Sequence, residues 1–155
     1  MLATSLTKTI GTKIMTETGV TCETHHLVQT KRLLALADVL KSPPWGLGCD
    51  PETFLNKVTG FIKAGDLLSE PVDNKKPSRA DLINDHARRC AYFATQSDYD
   101  PVHIDVGLPG ICHVAWILDD GNHRLYGRAV AGDKHIKAEI SGSVDYAKEL
   151  LGVRL

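Results

Sequence analysis

An α/β fold with a small mixed sheet, preceded by a mainly helical segment, is what this 155-residue chain predicts. Three observations carry the expectation. Apolar residues recur at helical spacing between Thr24 and Thr95, strict alternation replaces that period at Pro101, and the later helix-like stretches each close on a glycine.

Residues 1 to 21 are rich in Thr and Gly and show neither period, which predicts a frayed or weakly strand-like arm. "THHLVQTKRLLALADVL" (24 to 40) sets Leu27, Leu33, Leu34, Ala37 and Leu40 on one helical stripe, ended by "SPPWG". Asp50 before Pro51 is an N-cap with proline at the first helical position, so Phe54, Leu55, Val58, Phe61 and Ile62 predict a second helix ending at Gly65. The polar, proline-containing "SEPVDNKKPS" (69 to 78) is the internal boundary, dividing a segment 1–70 from an α/β unit 71–155 that pack as one globule. Ser78 with Asp81 then starts a third helix through "RADLINDHARRCAYFAT". "PVHIDV" (101 to 106) and "ICHVAWIL" (111 to 118) read as strands, "NHRLYGRAVAGD" as a short helix ended by Gly132, "HIKAEIS" as a third strand, and "SVDYAKELLG" as a closing helix from Ser143 to Gly152.

Composition narrows the function classes. A formal net charge of -1 supplies no global basic field, so any nucleic-acid contact is a local patch. The apolar runs fall far short of the ~18 residues a membrane span needs, which points away from a membrane and toward the cytoplasm. Cys22, Cys49, Cys90 and Cys112 are too widely spaced for a C-x-x-C knuckle and read as reduced, unligated thiols; no metal site is expected. On a strand, Cys112 and His113 would point to opposite faces, so Cys112 is expected to be buried rather than paired with that histidine as a nucleophile.

Chemistry concentrates at "WILDDGNHRLYGRAVAGD" (116 to 133). If a strand ends near Leu118 and a helix begins near Arg124, Gly121 permits the sharp turn, and the amides around Asn122 to Leu125 stand unpaired at the positive end of a helix dipole. An anion fits there. Arg124 offers a bidentate fork for phosphate oxygens, His123 a donor that also moves protons, and Asp119 or Asp120 a hold on a divalent cation. Asp105 alternates with His103 on the preceding strand and is a further candidate for proton or metal handling. The competing reading is a solvated helix start capped by Asp120. Arg79, Arg88 and Arg89 share the third helix, either as a solvated face or as a nucleic-acid or protein contact.

"DGNHRLYGRAVAGDKHIKAEI", with "DPVHIDVG" before it, resembles the ParB/sulfiredoxin-like superfamily over roughly residues 79–142. In that family a strand leads into a Gly-x-His-Arg or related turn, a short helix, a glycine and another strand, and the turn cradles nucleotide phosphates. The resemblance implies a phosphate- or nucleotide-binding turn made of Gly121, Asn122, His123 and Arg124, with ATP or another nucleotide and Mg as the ligand. Phosphoryl transfer is available to that fold, so the turn is compatible with an ATPase, kinase or phosphoryl-transferase role, in which the catalytic candidates His123, Asp120 or Asp105 would handle metal or proton. Asn122 stands where sulfiredoxins place their reactive cysteine, so sulfinic-acid reduction is not expected. The alternative is a phage- or plasmid-type module that keeps the turn to bind DNA, as a nuclease or otherwise, or a protein partner.

Overall fold

The computed structural model describes residues 13–15, 21–23, 25–41, 44–75 and 78–154. Near the N-terminus, β1 (Lys13–Met15) and β2 (Thr21–Glu23) pair antiparallel; the rest of the expected N-terminal arm lies outside the described residues. β3 (His26–Gln29) runs directly into α1 (Thr30–Leu36). The 24–40 stretch is therefore not one helix. Its first part is recruited as an edge strand, pairing antiparallel with β6 (His135–Ser141) so that Val28 faces Ile136 across the ladder and both are fully buried. Leu27, expected on the helical stripe, is 42% exposed on the other face, as strand alternation requires. Leu33 and Ala37 do reach the core.

α2 (Pro51–Ala64) begins as its sequence prescribes: the Asp50 carboxylate accepts from the Thr53 amide at 2.8 Å, and Gly65 ends the helix in the left-handed region. α3 (Arg79–Thr95) is opened by a reciprocal Ser78–Asp81 pair in which the Asp81 amide donates to Ser78 Oγ and that hydroxyl donates to Asp81 Oδ2. β4 (Val102–Asp105) follows, then β5 (Leu118–Asp120), α4 (Asn122–Val130), β6 and α5 (Val144–Leu151). The expected strand 111–118 is a loop until Leu118; before that only an isolated Leu108–Cys112 bridge pairs. The Pro109–Gly110 tip closes back on Leu108 through the Ile111 and Cys112 amides. This short loop leaves no extended ladder, and Cys112 is exposed rather than buried.

The main sheet has order β3-β6-β4-β5, with β4 and β6 parallel and both outer pairings antiparallel. That is an α/β fold with a small mixed sheet. Its helix-covered face buries Val28, Val102, Ile104, Leu118, Ile136 and Ala138 against Leu33, Leu125, Ala147 and Leu151. A second apolar cluster lies between α2 and α3, around Phe54, Val58, Ala87, Cys90 and Ala91. Trp45 and Tyr126 pack against both clusters and join them. α3 and α4 approach closely because Gly127 has no side chain; a Cβ there would stand 2.5 Å from the Cys90 carbonyl oxygen.

Candidate functional site

β5 delivers the chain to Gly121, whose φ of 102° only glycine adopts comfortably, and α4 starts at the next residue. The turn is also packed tight, since a Cβ on Gly121 would lie 2.6 Å from Val102 Cγ1 on the neighbouring strand. No side chain caps α4 and no acid occupies its first turn. α2, α3 and α5, by contrast, are capped by Asp50, Ser78 and Ser143 and carry Glu52, Asp81 and Asp145 in their first turns. The first intrahelical bond of α4 is from the Leu125 amide to the Gly121 carbonyl at 2.8 Å, which leaves the amides of residues 122 to 124 toward the cleft end of the helix.

A cleft of about 310 Å³ opens there, lined by Arg89, Phe93, Asp100, Asp120 and the four residues Gly121 to Arg124. The structure thus brings together the predicted turn and Asp120. Asp105 is not among them: it sits at the far end of β4, where its Oδ1 accepts from the Gly107 amide at 2.8 Å and its side chain borders a different cleft with Cys112 and His113. His103 turns to Glu139, 3.3 Å away. Among the described residues no group of three or more His, Cys, Asp or Glu is arranged to hold a metal ion.

Arg124 is not a free fork. Its Nη1 donates to the carbonyls of Asp100, at 3.0 Å, and Pro101, and its Nη2 donates to Asp120 Oδ2. The guanidinium thereby pins the α3–β4 connection to the start of α4, and its side chain is only 13% exposed. Arg89, across the cleft, donates to the carbonyls of Leu68 and Ser69 and lies 4.5 Å over the Phe93 ring. Burial lowers its pKa, and the neighbouring Arg124 charge contributes to the same shift. Asn122 Oδ1 is buried with no hydrogen-bond partner.

His123 does something its sequence position does not announce. Its Nε2 lies 2.8 Å from Nδ1 of His86, one nitrogen donating and the other accepting, with ring planes 14° apart. The Trp45 ring lies against both imidazoles, at 4.5 Å from His86 and 4.6 Å from His123. Burial pushes His86 down to about 4, and burial followed by His86, Arg89 and Arg124 pushes His123 down to about 3. Both are neutral at pH 7. His86 and Trp45 were invisible to the motif because they come from α3 and the loop before α2; His86 carried a faint signal, falling next to Ala87 on the inward face of its helix.

The three arginines of α3 are engaged within the chain, although Arg79 stays exposed. Arg79 donates to the Leu47 and Gly46 carbonyls, Arg88 pairs with Asp66 and Asp85, and Arg89 holds residues 68 and 69. Each ties the preceding chain to the helix. Comparison with known proteins finds no matching family model, curated protein or solved structure.

Proposed function

We propose that the chain binds a nucleotide or another phosphate-bearing ligand at the start of α4. One observation carries this reading: of the four helices longer than seven residues among the described residues, α4 alone begins uncapped, on a glycine, without an acid in its first turn, and it does so beside two guanidinium groups. Free helix-start amides and arginines are the groups that recognise phosphate oxygens. The resemblance of residues 79–142 to the ParB/sulfiredoxin-like superfamily supports the same four residues, Gly121 to Arg124, in the same task.

The geometry favours holding a phosphate over transferring one. Neutral His123 is a weak base, and Asp120 is already paired with Arg124. A phosphate entering the cleft would compete with Asp120 for that guanidinium while keeping its carbonyl contacts intact. Mg would then arrive with the nucleotide, since no set of three ligands awaits it among the described residues.

Calorimetric titration with ATP, ATP plus Mg, inorganic phosphate and a short DNA duplex, on the wild type and on Asn122→Asp, tests the proposal. An acid at the first helical position complements the dipole and repels an anion. The expected result is binding of a nucleotide or phosphate that Asn122→Asp weakens by roughly tenfold or more, at a temperature where both proteins are folded. Equal affinity in both proteins, or no heat with any ligand, would overturn the reading. Preference for the duplex with steep salt dependence would reassign the site to DNA phosphates.

A further inference from the structure

We propose a second binding site, for a small organic anion, in the cleft at the opposite end of α4. It is independent of the turn site. The cleft measures about 520 Å³ and is bounded by the junction of β3 with α1, by the Gly132–Lys134 connection into β6, and by Arg154, whose backbone bonds back to Leu27. Lys31, Lys134 and Arg154 bring three positive charges to it. The one acid there, Asp133, is spent: its Oδ2 accepts from Arg128 Nε and Nη2, each at 2.7 Å. Among the described residues, Lys31, Lys134 and Arg154 have no ion-pair partner. In a protein of net charge -1, three unopposed cations around one concavity make a local positive field.

Two of the residues forming the wall also carry a buried side-chain atom with no hydrogen-bond partner, Thr30 Oγ1 and His135 Nε2. Thr30 is only 3% exposed, so its hydroxyl is a desolvated group left unsatisfied. Leu34 and Ala129 supply apolar wall. The volume, the apolar lining and the convergent cations suit a carboxylate or phosphate carried on a short apolar body, rather than a bare ion that water would hold as well. Lysine and arginine donors around an apolar wall recognise both ends of such a molecule.

The test follows backbone amides in ¹H–¹⁵N spectra of the full chain titrated with n-butyl phosphate, butyrate and inorganic phosphate. Saturable shifts at Lys31, Lys134 and Arg154 are expected with butyl phosphate or butyrate, and the stronger of these two identifies the head group. Inorganic phosphate should bind there roughly tenfold more weakly, because it lacks the apolar body. Lys31→Glu with Lys134→Glu should weaken binding by about tenfold or more, and so should Arg154→Glu alone, a change at an exposed side chain that leaves the Leu27 backbone pairing in place. Asn122→Asp should leave these shifts unchanged, which separates this site from the turn. Absence of saturable shifts with all three probes would overturn the proposal. So would shifts confined to residues 121–124, or affinity unaltered by charge reversal; equal affinity for inorganic phosphate would overturn its organic character.

Discussion

The Arg124 guanidinium lines the candidate cleft and also clamps the chain around it. A free fork could be removed without harm, but this one satisfies two carbonyls and a carboxylate that join the α3–β4 connection to α4. Arg124→Ala should therefore destabilise the fold by roughly 1.5–3 kcal/mol, the range for hydrogen bonds to a charged group, as read from urea midpoints. A fully stable Arg124→Ala would mean those contacts contribute nothing. Gly121→Val should cost about 3 kcal/mol or more, because it combines a positive φ with a clash against Val102. Thiol chemistry separates the cysteines in the same way: Cys112 is exposed, while Cys90 is buried and its pKa pushed well up, so a maleimide should label Cys112 in the native protein and reach Cys90 only on unfolding. Rapid native labelling of Cys90 would contradict the packing of α3 on α2 and α4.

Among the elements, α3 and α4 form the frame of the candidate site, and their contact depends on Gly127. Gly127→Ala would gain helix propensity in isolation, yet its methyl would meet the Cys90 carbonyl and the Ala94 amide. The expected net result is destabilisation by about 1–3 kcal/mol, with loss of any ligand affinity at the turn as α4 shifts. A stabilised variant would show that the two helices can slide apart at no cost. The helix caps show the converse, since each acts within one turn of its own helix. Ser143→Ala, which removes the bond to the Tyr146 amide, should cost about 1 kcal/mol without disturbing the cleft.

For the whole molecule, the buried His86–His123 pair sets an acid limit. Both imidazoles have folded-state pKa values below the usual 6.5, so the unfolded chain takes up protons first as pH falls. The pair's contribution to stability should be full above about pH 6.5 and decline below it, with the loss attributable to His86 nearly complete near its folded value of about 4. With His86 only 3% exposed, that drop corresponds to roughly 3 kcal/mol, and the bonded pair titrates as a unit rather than as two separate residues. Urea unfolding between pH 7.5 and 4.5 should show the decline, and His86→Gln with its flatter profile would assign it. Equal slopes in both proteins would place the acid sensitivity elsewhere.

What can be read along the chain is mostly local. The starts at Asp50, Ser78 and Ser143, the stops at Gly65 and Gly152, and the strand alternation of Val102 and Ile104 follow from neighbours within a few residues, and the α/β class with its mixed sheet follows from their order. The glycine turn before α4 was legible for the same reason. Tertiary structure decided what depends on distant partners. Residues 26–29 became a strand because β6 offered an edge more than a hundred residues away, overriding a helical period that α1 then resumes. Only the end of the run 111–118 joined the sheet, where Leu118 pairs with Ile104, and Asp105 fell at the wrong end of β4 to join the turn. His123 met His86 across 37 positions, and Arg124 found acceptors 23 and 24 residues back. Capping, period and turn chemistry act along the chain and can be read there, whereas pairing across the fold is settled only when burial forces each polar group to find whichever partner the packing brings near.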